Sequence, residues 1–95
     1  MQSNKKYKAE RVVFTFNFTS VDIPVSSPVI TVLNNRGVDV TSNIVYGSPR
    51  LSQNKVLQLI QNGSAIESPY TAQCQVDVTK TGERFVVRGQ FYVED

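Results

Sequence analysis

Residues 70–78 have the sequence YTAQCQVDV, the most regular alternation of apolar and polar side chains in the chain. From Tyr70 to Val78 every second residue falls on one face of an extended strand, and the polar residues between them fall on the other. Lys80-Thr81-Gly82 has the composition of a hairpin loop, and residues 85–93 continue the alternation on a returning strand. These stretches predict an antiparallel hairpin as the best-defined part of the fold.

The same period of two predicts further strands on the N-terminal side of this hairpin. Val12, Phe14, Phe16 and Phe18 share one face, and each phenylalanine can bury ~150 Å² or more in a core. Asn34-Asn35-Arg36-Gly37 is rich in turn residues. Shorter strands are predicted over Val29–Leu33, Val38–Thr41, Ile44–Tyr46, which Gly47-Ser48-Pro49 should end, and Lys55–Ile60. About seven short strands without a convincing helix predict an all-β antiparallel sandwich.

Composition excludes several classes of protein. The 95 residues, 10.6 kDa in mass, allow one domain, and ten Lys+Arg against eight Asp+Glu leave a net charge of +2. Histidine is absent and Cys74 is the only cysteine, so no intrachain disulfide, Cys/His zinc site or His-based triad can form. Cys74 is expected to be a buried apolar residue. The carboxylates, Asp39 and Asp77 among them, are scattered over turns and polar faces, so we predict no catalytic residues, no metal and no cofactor.

The first ten residues differ in composition from the rest. Residues 1–10 are polar and carry three lysines and a tyrosine, which predicts a flexible basic N-terminal arm before a single domain over residues 11–95. No apolar run follows the first charges, as it would in a signal peptide, so synthesis in a cytosol is expected. The small net charge and the lack of an aromatic, basic platform argue against nucleic acid as a partner, and no apolar stretch suits a membrane.

Two groups of residues are candidates for contacts with a partner protein. The last strand turns a mixture of basic, aliphatic and aromatic side chains outward, a composition that is enriched at protein interfaces. The arm could become ordered on the same partner. The candidate contact residues are Lys5, Lys6, Tyr7, Lys8, Arg84, Val86, Arg88 and Tyr92.

Tyr70 follows Ser68-Pro69 at the start of the penultimate predicted strand. Immunoglobulin-like (Ig-like) sandwiches often place a tyrosine there, with its hydroxyl bonded to nearby backbone. We therefore expect Tyr70 to stabilise an Ig-like fold.

Five segments of the chain form a pattern that occurs together in one family of proteins. They are Val21-Asp22-Ile23-Pro24-Val25-Ser26-Ser27, Gln61-Asn62-Gly63-Ser64-Ala65, Tyr70-Thr71-Ala72-Gln73-Cys74-Gln75-Val76, Thr79-Lys80-Thr81-Gly82-Glu83 and Val93-Glu94-Asp95. With these segments the chain resembles the small Ig-like virion proteins of tailed bacteriophages, and within them the fibre–tail adaptor family. The resemblance covers most of the chain from Val12 to Asp95.

The resemblance implies a non-enzymatic structural protein of the virion. Such a protein would form a ring of copies on the tail or neck and attach tail fibres through contacts with other virion proteins. Two alternatives stay open. The sandwich could be a capsid decoration protein, or it could be a carbohydrate-binding or ligand-binding module, for which Tyr46 with Asn43 nearby is the candidate site.

Overall fold

The computed structural model describes residues 5–21 and 23–95. In this part of the chain seven strands form two sheets, and one short helix lies between the third and fourth strands. The elements are β1 Lys5–Tyr7, β2 Val12–Asn17, β3 Val25–Leu33, α1 Thr41–Ile44, β4 Val45–Ser52, β5 Lys55–Ile60, β6 Tyr70–Val78 and β7 Arg84–Glu94. The prediction of an all-β sandwich is confirmed.

The two sheets have the strand order of an Ig-like sandwich. One sheet has the order β1-β7-β6-β3 and the other β2-β5-β4. In immunoglobulin letters β2-β5-β4 correspond to strands B, E and D, and β7-β6-β3 to strands G, F and C. Every pairing is antiparallel except that of β1 with β7, which is parallel. The predicted hairpin is β6–β7, in register from Tyr70 opposite Phe91 to Asp77 opposite Arg84.

Aromatic side chains join the two sheets in the core. Phe14, Phe16 and Phe18 are all buried, as their shared face predicted. The ring centroid of Phe14 lies 5.0 Å from that of Phe16 and 5.7 Å from that of Phe91 on the opposite sheet. Phe91 in turn stacks on Tyr70, with the centroids 5.2 Å apart. Burial of large aromatic surface on both inner faces is the main force that holds the sheets together.

Tyr70 makes the backbone contact that was predicted for it. Its ring is buried, and its hydroxyl accepts a hydrogen bond of 3.0 Å from the backbone N–H of Ser64. The same hydroxyl donates to Oε1 of Glu67 at 3.1 Å. This contact closes the loop between β5 and β6, where Ig-like sandwiches place their tyrosine corner.

One predicted strand is wrong. Val38–Thr41 contributes only an isolated bridge between Leu33 and Asp39, and Thr41 then begins the four-residue helix α1. The carboxylate of Asp39 accepts hydrogen bonds from the backbone N–H of Thr41 at 2.9 Å and from its hydroxyl at 2.6 Å. The backbone N–H of Val32 donates to Oγ1 of Thr41 at 2.9 Å. Short polar side chains thus satisfy backbone groups that a strand would have paired with a neighbour.

Two stretches that contain Ser-Pro, one of them the predicted breaker, lie inside strands as bulges. Gly47-Ser48-Pro49 was expected to end a strand, but β4 runs through it to Ser52 with a register shift between Tyr46 and Arg50. Likewise β3 begins at Val25 and shifts register between Ser26 and Val29. Both are edge strands of their sheets, so a proline on the unpaired side costs no ladder hydrogen bond. Gln58 supports the first bulge, because its Nε2 donates to the carbonyls of Tyr46 and Gly47 at 3.1 and 3.2 Å.

The predicted flexible arm is wrong for Lys5–Tyr7, which form β1 on the free edge of β7. Backbone hydrogen bonding continues past the strand, since the N–H of Lys8 donates to the carbonyl of Glu94 at 2.8 Å. Residues 1–4 of the predicted arm lie outside the described residues. The parallel pairing places β1 in the same sheet as β7, β6 and β3.

Cys74 is buried in β6, and this burial should make the fold sensitive to alkaline pH. Burial raises the pKa of the Cys74 thiol from 9.0 to about 11. The unfolded thiol then ionises first, so the free energy of unfolding should fall by about 2–3 kcal/mol between roughly pH 9 and pH 11. The free energy of unfolding of Cys74→Val should not show this decrease, because the variant has no thiol at this position. Urea unfolding of both proteins across this pH range measures the difference, and parallel pH profiles would contradict it.

Candidate docking surface

The outer face of the four-stranded sheet brings most of the predicted contact residues together. In β7 the side chains of Phe91 and Val93 point into the core, so the even-numbered residues point outward. The register of β1 places Lys5 opposite Tyr92 and Tyr7 opposite Glu94. Six of the eight predicted residues therefore share this surface, which we call the β7 face: Lys5, Tyr7, Arg84, Val86, Arg88 and Tyr92.

Apolar and aromatic groups on the β7 face are open to solvent. Tyr7 is 59 % exposed, Val86 44 % and Tyr92 45 %. Val29 of β3 lies two strands away from Val86, with Gln75 of β6 between them, and it is exposed too. Tyrosine and arginine are enriched at the centres of protein interfaces, and this surface carries both.

Two of the three basic side chains on the β7 face pair with acids, and the third, Arg88, bonds to a neutral amide. The ammonium of Lys5 lies 3.4 Å from Oε1 of Glu94, and Nε of Arg84 lies 2.8 Å from Oδ1 of Asp77. Nε of Arg88 donates to the amide oxygen of Gln73 at 2.8 Å. Exposed pairs of this kind add only about 0–1 kcal/mol each to stability. They orient long side chains across neighbouring strands, which leaves a nearly neutral, ordered surface.

Lys6 cannot be a contact residue, and this prediction is wrong. Its side chain is only 2 % exposed and points to the core side of β1. The ammonium donates to the carbonyls of Tyr7 and Asn62, both at 2.8 Å. Burial lowers the pKa of Lys6, an effect that Glu10 partly offsets. Lys6 therefore connects β1 to the loop after β5. Lys8, the other predicted contact residue outside the β7 face, is exposed and follows the end of β1.

An open pocket lies beside β1 and is lined by Lys5, Lys6, Tyr7, Glu10 and Glu94. Its polar groups are already engaged with one another. Glu94 pairs with Lys5, and Oε1 of Glu10 accepts a hydrogen bond of 2.7 Å from the backbone N–H of Tyr7. The pocket's hydrogen bonds therefore help to hold β1 in place.

Sequence reasoning missed the solvent side of the other sheet. Leu57 and Leu59 of β5 are half-buried there, and Tyr46 of β4 is 44 % exposed beside Leu59. The signal was present in residues 55–60, KVLQLI, where apolar residues occupy both faces of the strand.

The candidate carbohydrate site at Tyr46 is partly covered. The guanidinium carbon of Arg11 lies 3.6 Å from the centroid of the Tyr46 ring, which is where a sugar would have to stack. Asn43, its proposed companion, accepts hydrogen bonds from Nδ2 of Asn62 at its backbone carbonyl, 2.9 Å, and at Oδ1, 3.3 Å. Tyr46 and Asn43 thus already have partners within the domain.

The remaining candidate groups, Asp39, Asp77 and Cys74, each have a separate structural role. Asp39 caps a turn at Thr41, and this hydrogen bonding lowers the pKa of its carboxyl. Asp77 pairs with Arg84, and Cys74 is buried. Within residues 5–21 and 23–95 no three His, Cys, Asp or Glu side chains are grouped as metal ligands would be. No helix in the same ranges is long and apolar enough to cross a membrane.

Comparison with known proteins gives no family assignment. Neither the protein-family models nor the curated protein sequences contain a significant match to this chain.

Proposed function

We propose that this protein is a non-enzymatic structural protein of a bacteriophage virion, an adaptor on the tail or neck that attaches fibres through the β7 face. The observation that carries docking at this face is the convergence of six predicted contact residues on one ordered, exposed surface. The virion setting rests on the sequence resemblance to fibre–tail adaptors. A flat sheet face with tyrosine, valine and arginine suits contact with another folded protein.

Copies of the protein would form a ring on the particle. An adaptor that is bound once by each subunit of a symmetric template has a copy number that follows the symmetry of that template. The domain would need no strong contact between its own copies, because the template supplies their arrangement.

The stoichiometry of the protein in purified particles from its source tests this proposal. Quantitative mass spectrometry against a major capsid standard should find roughly a dozen copies if the protein forms a ring at the tail or neck. Hundreds of copies would indicate capsid decoration instead. Complete absence from the particles would refute the virion assignment.

Charge reversal on the β7 face should separate docking from folding. Arg88→Glu is expected to weaken incorporation into particles, since it reverses a charge at the proposed contact. Its unfolding free energy should change by less than about 0.5 kcal/mol, because Arg88 is exposed. Lys80→Glu, in the exposed β6–β7 loop, is the matched control and should incorporate normally. Normal incorporation of Arg88→Glu would count against docking at this face, as would loss of its fold.

A further inference from the structure

The outer face of the three-stranded sheet is a second surface with a distinct chemistry. Strand register sets Val13 and Tyr46 on either side of Leu59, and Thr15 and Arg50 on either side of Leu57. The three aliphatic side chains are half-buried, although they lie on the solvent side of their strands. We call this surface the basic face, and its side chains are Val13, Thr15, Tyr46, Arg50, Lys55, Leu57 and Leu59, with Arg11 adjoining.

Positive charge on the basic face is not balanced by carboxylates in its strands. The sequences of β2, β4 and β5 are VVFTFN, VYGSPRLS and KVLQLI, which contain no aspartate or glutamate. Among residues 5–21 and 23–95, Arg50 and Lys55 make no ion pair, and both are exposed. On the β7 face, by contrast, Lys5 and Arg84 each pair with an acid. A negatively charged partner would therefore gain more electrostatic free energy by binding the basic face than by binding the β7 face.

Arg11 is already held in position at the edge of this face. Its guanidinium lies over the Tyr46 ring at 3.6 Å, and Nη2 donates to Oε1 of Gln61 at 3.2 Å. A guanidinium that is fixed by stacking keeps its planar fork of donors ready for a carboxylate. Binding then costs less side-chain entropy than it would with a free arginine.

The spacing of the cations matches an extended chain. Three successive outward positions follow one another along β5. The first is Lys55, the second is Leu57 with Arg50 opposite it, and the third is Leu59 with Tyr46 opposite it. Residues two apart in a strand are about 6.6 Å apart, and carboxylates at alternate positions of an extended segment have the same spacing. Leu57 and Leu59 beside the cations favour a segment that contains glutamate, because its methylene groups can lie on the leucines while its carboxylates reach the cations.

We propose that the basic face docks an acidic, extended segment of a partner protein, with glutamates at alternate residues so that their side chains share one face of the segment. The carboxylates pair with Arg11, Arg50 and Lys55, and the methylene groups of the same glutamates cover Leu57 and Leu59. This contact is separate from the β7 face, on the opposite side of the sandwich. The domain would then join two different partners through its two sheets.

A peptide titration of the whole chain tests the proposal. The probe is the heptapeptide Glu-Ser-Glu-Ser-Glu-Ser-Glu, added to the isotope-labelled protein and followed by NMR. The amide signals of β2, β4 and β5 are expected to shift, and the affinity should fall as salt is raised. Arg50→Glu should weaken binding about fivefold or more, since it replaces attraction by repulsion. Lys80→Glu is the matched control and should bind the peptide as the unmodified chain does.

Several results would overturn this proposal. They are the absence of peptide binding, signal shifts confined to β6 and β7, and unchanged binding by an Arg50→Glu protein with an intact fold. Tighter binding of a single-stranded oligonucleotide of equal charge would also overturn it, because that would make the surface a phosphate site. Failure here leaves docking at the β7 face unaffected, since that proposal depends on Arg88→Glu and on particle stoichiometry.

Discussion

Phe16→Ala is expected to lower the free energy of unfolding by about 3–5 kcal/mol, a large part of the 5–15 kcal/mol that holds a typical domain together. Phe16 is 1 % exposed, and its ring packs 5.0 Å from that of Phe14. Truncation removes buried apolar surface and leaves a cavity between the two sheets. Urea unfolding followed by circular dichroism measures the effect.

Phe85→Ala is the matched control for that experiment. Phe85 lies on the same side of β7 as the buried Phe91 and Val93, yet it is 38 % exposed because it lies toward the β6–β7 loop. The same atoms are removed from a strand, so the loss should be only about 1 kcal/mol. Equal losses in the two variants would show that the centre of the core has been placed wrongly.

Gly63→Ala is expected to destabilise the protein by about 2–5 kcal/mol, although it adds a single carbon. Gly63 has φ +94°, and a Cβ built there would lie 2.8 Å from Cγ2 of Val93 and 3.3 Å from the hydroxyl of Tyr70. Its neighbours are also engaged. The carbonyl of Asn62 accepts the Lys6 ammonium, and the N–H of Ser64 donates to Tyr70. A shift of this loop would therefore disturb β1, β7 and the tyrosine corner together.

Gly37→Ala separates the two causes of that loss. Gly37 also has a left-handed φ, +76°, but a Cβ there meets no atom within 4 Å. Backbone strain alone should then cost about 1 kcal/mol. Thermal and urea unfolding of both variants give the comparison. If Gly37→Ala costs as much as Gly63→Ala, the close approach of Val93 and Tyr70 contributes nothing.

The docking surface was only partly predictable. Alternation along β7 correctly assigned Arg84, Val86, Arg88 and Tyr92 to one outward face, because side chains alternate wherever a strand forms. The arm was misjudged at Lys6, since three lysines around a tyrosine predict a solvated segment. The buried ammonium of Lys6 needs the carbonyl of Asn62 as a partner, which is distant in sequence and which no local pattern reveals.

The sequence by itself determined the all-β class, the β6–β7 hairpin and the aromatic core face, because period-two alternation is a local property that follows from strand geometry. Only the tertiary structure decided that β1 completes a sheet, that Gly47-Ser48-Pro49 forms a bulge inside β4, and which charges are neutralised. These features depend on backbone hydrogen bonds and ion pairs between different strands, which the pattern within one strand does not contain. The β7 face and the basic face therefore differ in charge balance for a reason that lies in strand pairing: acids stand beside the cations on one sheet and are missing from the strands of the other.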